Sequence, residues 1–247
     1  MTGDKFDIRT AILVDGGFYR KRAAALFGPK PPKESAEELV RYCLAHLYDK
    51  YENRRLYRIF YYDCPPVDKN VFNPITNKSI NLGKSDSYIW MNEFIKELKH
   101  QRKFALRMGR LSENQIYYNL KYDTTKKLLN GSLKVDELTL NDFELNIEQK
   151  GVDMKIGVDI SSLAYKKQVE QIILIAGDSD FVPAAKQARR EGIDFILDPM
   201  ASPIKNDLFE HIDGIRSQVK KFAAPKKEEQ PIKDPTDRSI YADSHNE

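Results

Sequence analysis

The run Ile172-Ile173-Leu174-Ile175-Ala176 followed by Gly177-Asp178-Ser179-Asp180-Phe181 constrains the fold of this 247-residue chain more than any other stretch. Its apolar part reads as a strand buried on both faces, the hallmark of a parallel sheet covered by helices. A helical pattern, Val182, Ala185 and Ala188, follows directly. Asp178 and Asp180 therefore fall at the C-terminal end of a strand, where open α/β sheets carry their ligand sites. A purely structural alternative is that Asp178 or Ser179 caps the next helix. Two carboxylates in one turn, however, repel each other and persist most easily around a cation.

The pattern recurs at the N-terminus. Ala11-Ile12-Leu13-Val14 is a short apolar strand ending in Asp15, with Gly16 and Gly17 allowing a tight turn and close backbone approach. Arg20, Lys21 and Arg22 follow on the next helix, either as a solvated face or as an attractor for phosphate. Arg55–Tyr62 reads as another strand, ended by Asp63 and Pro65-Pro66. Asp63 is expected to shape the site or act as a cap. Ile193–Leu197 ended by Asp198-Pro199 completes a strand–helix–strand repeat with the 172–190 segment.

Other segments carry weaker expectations. Ser35 with Glu38 suggests a capping box at the start of a helix running to about Tyr51. Residues 67–85 read as a long connection, and Trp90, Phe94 and Leu98 as the core stripe of a helix over 86–103. Phe104–Leu111 and 115–122 are strand candidates within an elaboration of the sheet edge spanning about 67–140. A helix is expected from near Asp153 to Tyr165. On it, Asp153 and Asp159 point about 120° apart, so one face does not present both equally. Asp153 is the better ligand, although it also suits a helix cap. Asp159 can support the site or orient a basic side chain, and Lys150 can contact phosphate or hold an acid. A final helix is expected over 205–219 with Leu208, Ile212 and Ile215 inward. Residues 223–247 are Pro-, Lys- and Glu-rich and read as a disordered tail.

Composition narrows the classes. The net charge of +3 does not announce a nucleic-acid binder, though a local basic surface is compatible with it. Cys43 and Cys64 lie among apolar neighbours and read as free buried thiols. Four scattered histidines argue against a histidine-rich zinc site. No run approaches the ~18 apolar residues of a membrane span, and charges interrupt the N-terminus, so a cytoplasmic protein is expected. No P-loop, H-E-x-x-H or G-x-S-x-G is present. Hard oxygen donors from Asp15, Asp153, Asp178 and Asp180 suit Mg2+ or Mn2+, and phosphodiester hydrolysis is the natural chemistry for such a centre.

Val14-Asp15-Gly16-Gly17, Lys150-Gly151-Val152-Asp153 and Gly177-Asp178-Ser179-Asp180-Phe181 resemble, in order and spacing, the signature blocks of the NYN domain family, in its LabA-like (DUF88) branch of the PIN-like nucleases. The resemblance implies a PIN-like three-layer α/β/α sandwich with a mainly parallel sheet over residues 8–219. It also implies metal-dependent ribonuclease activity with RNA as partner. Asp15, Asp153, Asp178 and Asp180 become the catalytic and metal-binding acids, with Lys150, Asp159 and Ser179 supporting and Arg20, Lys21 and Arg22 binding phosphate. Phe18 stands where the family commonly has asparagine, a departure that leaves room for a weakened enzyme. The alternatives are a nucleic-acid-binding module with little catalysis and a metal-dependent phosphatase. For the dehalogenase type of phosphatase, a second acid would be wanted two residues after Asp15, and Gly17 stands there. A homodimer is compatible with the sequence but not specified by it.

Overall fold

The computed structural model describes residues 7–50, 52–112, 116–147 and 149–223. The expected tail at 223–247 lies, beyond its first residue, outside the described residues.

Six strands form one sheet: β1 (Asp7–Asp15), β2 (Asn53–Asp63), β3 (Phe104–Met108), β4 (Gln171–Ile175), β5 (Asp194–Asp198) and β6 (Gly214–Ile215). Their order is β6-β5-β4-β1-β2-β3, and every pairing is parallel. Parallel neighbours need crossovers, which helices supply. These helices are α1 (Gly16–Phe27), α2 (Pro32–Ala45), α3 (Asp86–Lys99), α4 (Tyr122–Leu129), α5 (Val152–Tyr165) and α6 (Val182–Arg190), with α4 lying in an excursion outside the sheet crossovers.

Strand periodicity divides the core into two halves. Leu13, Tyr62, Leu174 and Leu197 face one side and pack with Ile156, Ile160 and Leu163 of α5 and Ala185 and Ala188 of α6. Ile12, Val14, Tyr61, Ile173 and Ile175 face the other side and pack with Tyr19, Leu39, Phe94 and Leu98 of α1, α2 and α3. This is the expected three-layer sandwich. Residues 171–176 are buried throughout, which is why the sequence shows an unbroken apolar run there. Each such aliphatic side chain contributes about 1.5–3 kcal/mol by burial.

The strand order reverses direction between β1 and β4, because β2 and β3 build outward on one side and β5 and β6 on the other. At such a switch point the two crossovers diverge and leave a crevice at the C-terminal strand ends. Asp15 and the Gly177–Asp180 turn stand there.

Several local expectations are corrected. Helix α2 starts at Pro32 with Pro31 at the N-cap and ends at Ala45, so proline at the first turn, not a Ser35 capping box, begins it. Ser35 instead donates to the Lys30 carbonyl, and Glu38 pairs with Lys30. The 67–85 connection contains a small hairpin, Asn70–Phe72 with Ser79–Asn81. Part of the presumed elaboration belongs to the basic fold: α3 and β3 complete one crossover and one sheet edge. The true excursion begins after Met108 and includes a hairpin of Tyr117–Leu120 with Phe143–Asn146. The expected helix over 205–219 is instead a short turn of helix at Asn206–Phe209, then β6, then Val219–Phe222. Leu208 and Ile212 are buried as expected, but Ile215 is 46% exposed because it sits on an edge strand.

Candidate functional site

Three acids reach the crevice from the ends of β1 and β4. Val14 is fully buried, and the chain turns into α1 immediately after Asp15. The Asp15 carboxylate accepts from the Phe18 amide at 3.1 Å, so it caps α1 while facing the crevice. Gly16 is required by close packing: a Cβ there would lie 2.4 Å from the Tyr61 ring and 2.6 Å from an Asp63 oxygen. That close approach is to Tyr61 and Asp63 of the neighbouring strand. On the other strand, Phe181 is 1% exposed and anchors the turn in the core. Asp178 and Asp180 are thereby left at the surface, with the Asp180 amide donating to Asp178 at 3.2 Å. Ser179 belongs to the same turn, Ser179–Phe181, but its side chain is outside the described residues.

Asp153 arrives from the far side of the sheet. Arg110-Leu111 pairs antiparallel with Gln149-Lys150 just beyond the end of β3. This ladder returns the chain to the C-terminal edge of the sheet, where α5 starts. Gly151 is the N-cap of α5 and Asp153 lies in its first turn, where the helix dipole favours an anion. Asp153 is therefore not the cap residue. Lys150 is exposed on the ladder beside Gly109 and Pro65.

Electrostatics tie these acids together. The Asp15 carboxyl is raised above its ordinary range by burial, against the opposing Phe18 amide, with repulsion from Asp153 and Asp63 adding to the rise. Asp153 is raised by the loss of surrounding water and then by repulsion from Asp178 and Asp180. Asp15, Asp153, Asp178 and Asp180 thus form one continuous negative field. Among the described residues, no ion pair to any of them is found, and no group of three or more His, Cys, Asp or Glu side chains stands close enough together to hold a metal ion as the side chains now lie.

The remaining predicted residues have other surroundings. Arg20 donates to Asp63 at 3.0 and 3.2 Å. Arg22 donates to the Met200 carbonyl at 2.8 and 3.1 Å, bracing the loop after β5. Lys21 is exposed. Asp159 is held by Tyr62 and Arg107, each donating at 2.9 Å, and so fastens α5 to β2 and β3. The 120° separation on α5 accounts for its distance from the role of Asp153.

Two further residues shape the site: Asp63, which the sequence marks as a strand-end acid but whose partners it does not show, and Phe18, whose packing partner it does not show. Asp63 is 1% exposed and accepts from Tyr61 at 2.7 Å and from the Cys64 amide at 2.8 Å, besides Arg20. It sets the charge next to Asp15 without facing solvent. Phe18 packs on Gly177, where a Cβ would come within 2.4 Å of its ring. The pairing of a bulky residue after Gly16-Gly17 with glycine before Asp178 is the available signal, and it emerges only once the two strands are known to be neighbours.

Comparison with known proteins adds the following. Residues 71–213, more than half of the chain, match the NYN domain. The match includes Asp153, Asp178 and Asp180; Asp15 precedes it. No curated protein matches. A crystal structure of a protein of unknown function, VPA0982 from Vibrio parahaemolyticus RIMD 2210633, is similar at 13% identity with a TM-score of 0.45, covering 91% of this chain and 100% of that one. Among the described residues, no helix is long and apolar enough to cross a membrane. The all-parallel sheet with helices on both faces is consistent with a PIN-like fold. The chain belongs to the NYN domain family.

Proposed function

We propose that this protein is a divalent-metal-dependent ribonuclease, related to the LabA-like branch, with its reaction centre at Asp15, Asp153, Asp178 and Asp180. The observation that carries this reading is the placement of Asp15 and the Asp178–Asp180 turn on neighbouring strands at the switch point of the sheet, coupled electrostatically to Asp153. Asp15 and Asp153, each raised by burial and by neighbouring carboxylates, are short of positive charge, and hard oxygen donors suit Mg2+ or Mn2+, whose remaining positions water fills. Bound there, such an ion would polarise the phosphodiester and make its water more acidic.

The chain's own groups do the rest. Asp178 and Asp180, fixed by the buried Phe181, would hold the ion at the surface where a strand can approach. Asp15, raised and half-enclosed, is placed to orient and take a proton from attacking water. Lys21 and Lys150 would draw the phosphate backbone toward an otherwise repulsive centre. Membership of the NYN family, whose members are generally nucleases, supports a nucleic-acid substrate, and RNA is the one this reading takes.

Phe18 against Gly177 favours a second reading, a nucleic-acid-binding module with weak catalysis, because an apolar ring occupies the turn between the two acid-bearing strands. One experiment separates the two. Single-stranded and structured RNA, with DNA as control, are incubated with wild type and Asp178→Asn under Mg2+, Mn2+ or EDTA. The ribonuclease reading expects cleavage only by wild type with metal. Cleavage that persists in EDTA or in Asp178→Asn would refute it, and metal binding without cleavage would favour the binding module.

A further inference from the structure

Helix α5 is apolar on the side that faces away from the sheet as well as on the side that faces it. It buries Val152, Ile156, Ile160, Leu163 and Ala164 against the core. The solvent side of such a helix is ordinarily polar. Here Met154, Val158 and Tyr165 stand on it, 74%, 60% and 76% exposed. Their spacing of four and seven residues aligns them in one stripe, with Ser161 between the last two. Pro183 and Ala184 of α6 form the opposite wall of a groove of about 850 Å³. Asp153 and Asp180 line the same groove, so it opens directly from the acid centre.

The chemistry of the groove separates two classes of occupant. A surface for nucleic acid is strongly positive, and among the described residues no lysine or arginine lines this one. Exposed methionine and tyrosine, with charge confined to the ends, mark a protein-binding surface. The two ends carry opposite charges. Asp153 and Asp180 stand where α5 and α6 begin, whereas Lys166 and Lys167, both exposed, follow Tyr165 at the end of α5. The stripe is also symmetric about its midpoint: Met154 lies four residues before Val158, and Tyr165 four after Ser161. A second copy of this chain, laid antiparallel, satisfies both features at once. It sets Met154 against the second copy's Tyr165 and Val158 against its Ser161, and a two-fold axis repeats each contact in reverse. Sulfur beside an aromatic ring is a favourable pairing.

We propose that the α5–α6 groove is the interface of a two-fold dimer in which Lys166 and Lys167 of each copy stand beside Asp153 and Asp180 of the other. Packing of α5 on its counterpart supplies the contact, and the opposed charges fix the antiparallel direction. On the nucleic-acid reading of the acid centre, on which this step rests, those lysines have a task. They bring positive charge to acids that repel a phosphate backbone, so the second copy completes the site. An interface built on one helix groove per copy falls at the small end of the size range, near about 1,200 Å² in total. The dimer should therefore dissociate on dilution.

Sedimentation velocity of the full chain in EDTA, over a wide range of concentration, reads the dimer without any cleavage. The proposal expects a monomer–dimer equilibrium. Val158→Glu, which puts a charge at an exposed position in the middle of the stripe, should weaken it about 100-fold or more, as an uncompensated buried charge does, with the melting temperature unchanged. Lys166→Glu combined with Lys167→Glu should weaken it about tenfold, the size of two exposed ion pairs lost and reversed. Oxidative cross-linking reads the direction. Cys43 and Cys64 are buried, so cysteines introduced on the stripe report alone. Met154→Cys mixed with Tyr165→Cys should give a cross-linked heterodimer, whereas either variant by itself should not. A monomer at every concentration, cross-linking of each variant only with itself, or sedimentation unchanged in Val158→Glu would overturn the proposal. Cleavage of RNA per chain, with Mn2+, should rise across the dimer transition in wild type and not in Val158→Glu; no rise in wild type would overturn the role of the lysines. A dimer without metal-dependent cleavage would retain the interface and refute the catalytic reading, and cleavage by a chain that stays monomeric would refute only the interface.

Discussion

Four strands of this sheet end in, or just before, an aspartate, and the four acids divide into two kinds. Asp63 after β2 and Asp198 after β5 are sealed in, at 1% and 0% exposure. Asp63 is matched by Arg20, Tyr61 and the Cys64 amide. Asp198 accepts from Tyr42 at 2.6 Å and from the Met200 amide at 2.8 Å, and lies 2.9 Å from His46 Nε2. Asp15 after β1 and Asp178 after β4 have only backbone amides as hydrogen-bond donors among the described residues. The contrast teaches that a strand-end acid is not a site by position alone. A carboxylate whose lone pairs are filled from within is architecture, whereas one facing other carboxylates retains an unmet demand for positive charge.

The contrast can be broken most severely by exchanging function for stability. Asp178→Asn should reduce RNA cleavage beyond the about 10–100-fold typical of a residue acting only through a metal's direct ligands, while leaving the melting temperature unchanged or higher. Circular dichroism on the same sample checks the fold. Asp198→Ala should do the opposite. It strands the Tyr42 hydroxyl, the His46 ring and the Met200 amide, and at about 1–3 kcal/mol for a stranded group should cost about 3 kcal/mol in urea unfolding. Burial already holds His46 below its ordinary range, so protonation does not rescue the cluster near neutral pH.

A smaller effect tests the sign of the electrostatics. Asp15 and Asp153 have carboxyls raised above the ordinary value of 3.8. The folded, metal-free chain therefore binds more protons than the unfolded chain in the window above that value. Their contribution to stability is full below it and is lost as pH rises through the raised values. Asp15→Asn keeps the cap to Phe18 and removes the charge. It should match wild type in acid and exceed it by about 2–4 °C near neutral pH in EDTA, the size of roughly a 1 kcal/mol change in a chain of this length. A difference that is constant with pH would contradict the repulsion. The smallest expected effect is Asp159→Asn, which loosens the Tyr62 and half-exposed Arg107 contacts and should cost under about 1 kcal/mol with cleavage nearly intact.

The legible part of this molecule is local, and the remainder is not. The unbroken apolar runs at 11–14 and 172–176 announce doubly covered strands, and each meets an acid at its end. That the strands leading to Asp15 and Asp178 are neighbours depends on strand order, which no local pattern encodes. Family resemblance joined them before the topology did. The fates of Arg20 and Arg22 were hidden for the same reason, since their partners, Asp63 and Met200, are 43 and 178 residues away. Strand β3 was legible as a strand candidate at Phe104–Leu111, but not as part of the main sheet, because it is an edge strand with its residues mostly half-buried and lacks the saturation seen in β4. Trp90 shows the limit of periodicity: its spacing places it on the core stripe, but the gap between α1 and α3 makes part of its surface a wall.

The central claim is that Asp15, Asp153, Asp178 and Asp180 together hold a divalent cation. Thermal melting with and without Mn2+, on wild type and on Asp178→Asn, tests it without requiring a substrate. A cation bound at the acids stabilises the folded state by mass action, so wild type should melt several degrees higher with Mn2+, and the variant should gain little while melting no lower than wild type in EDTA. Equal gains in both proteins, or none in wild type, would contradict the claim.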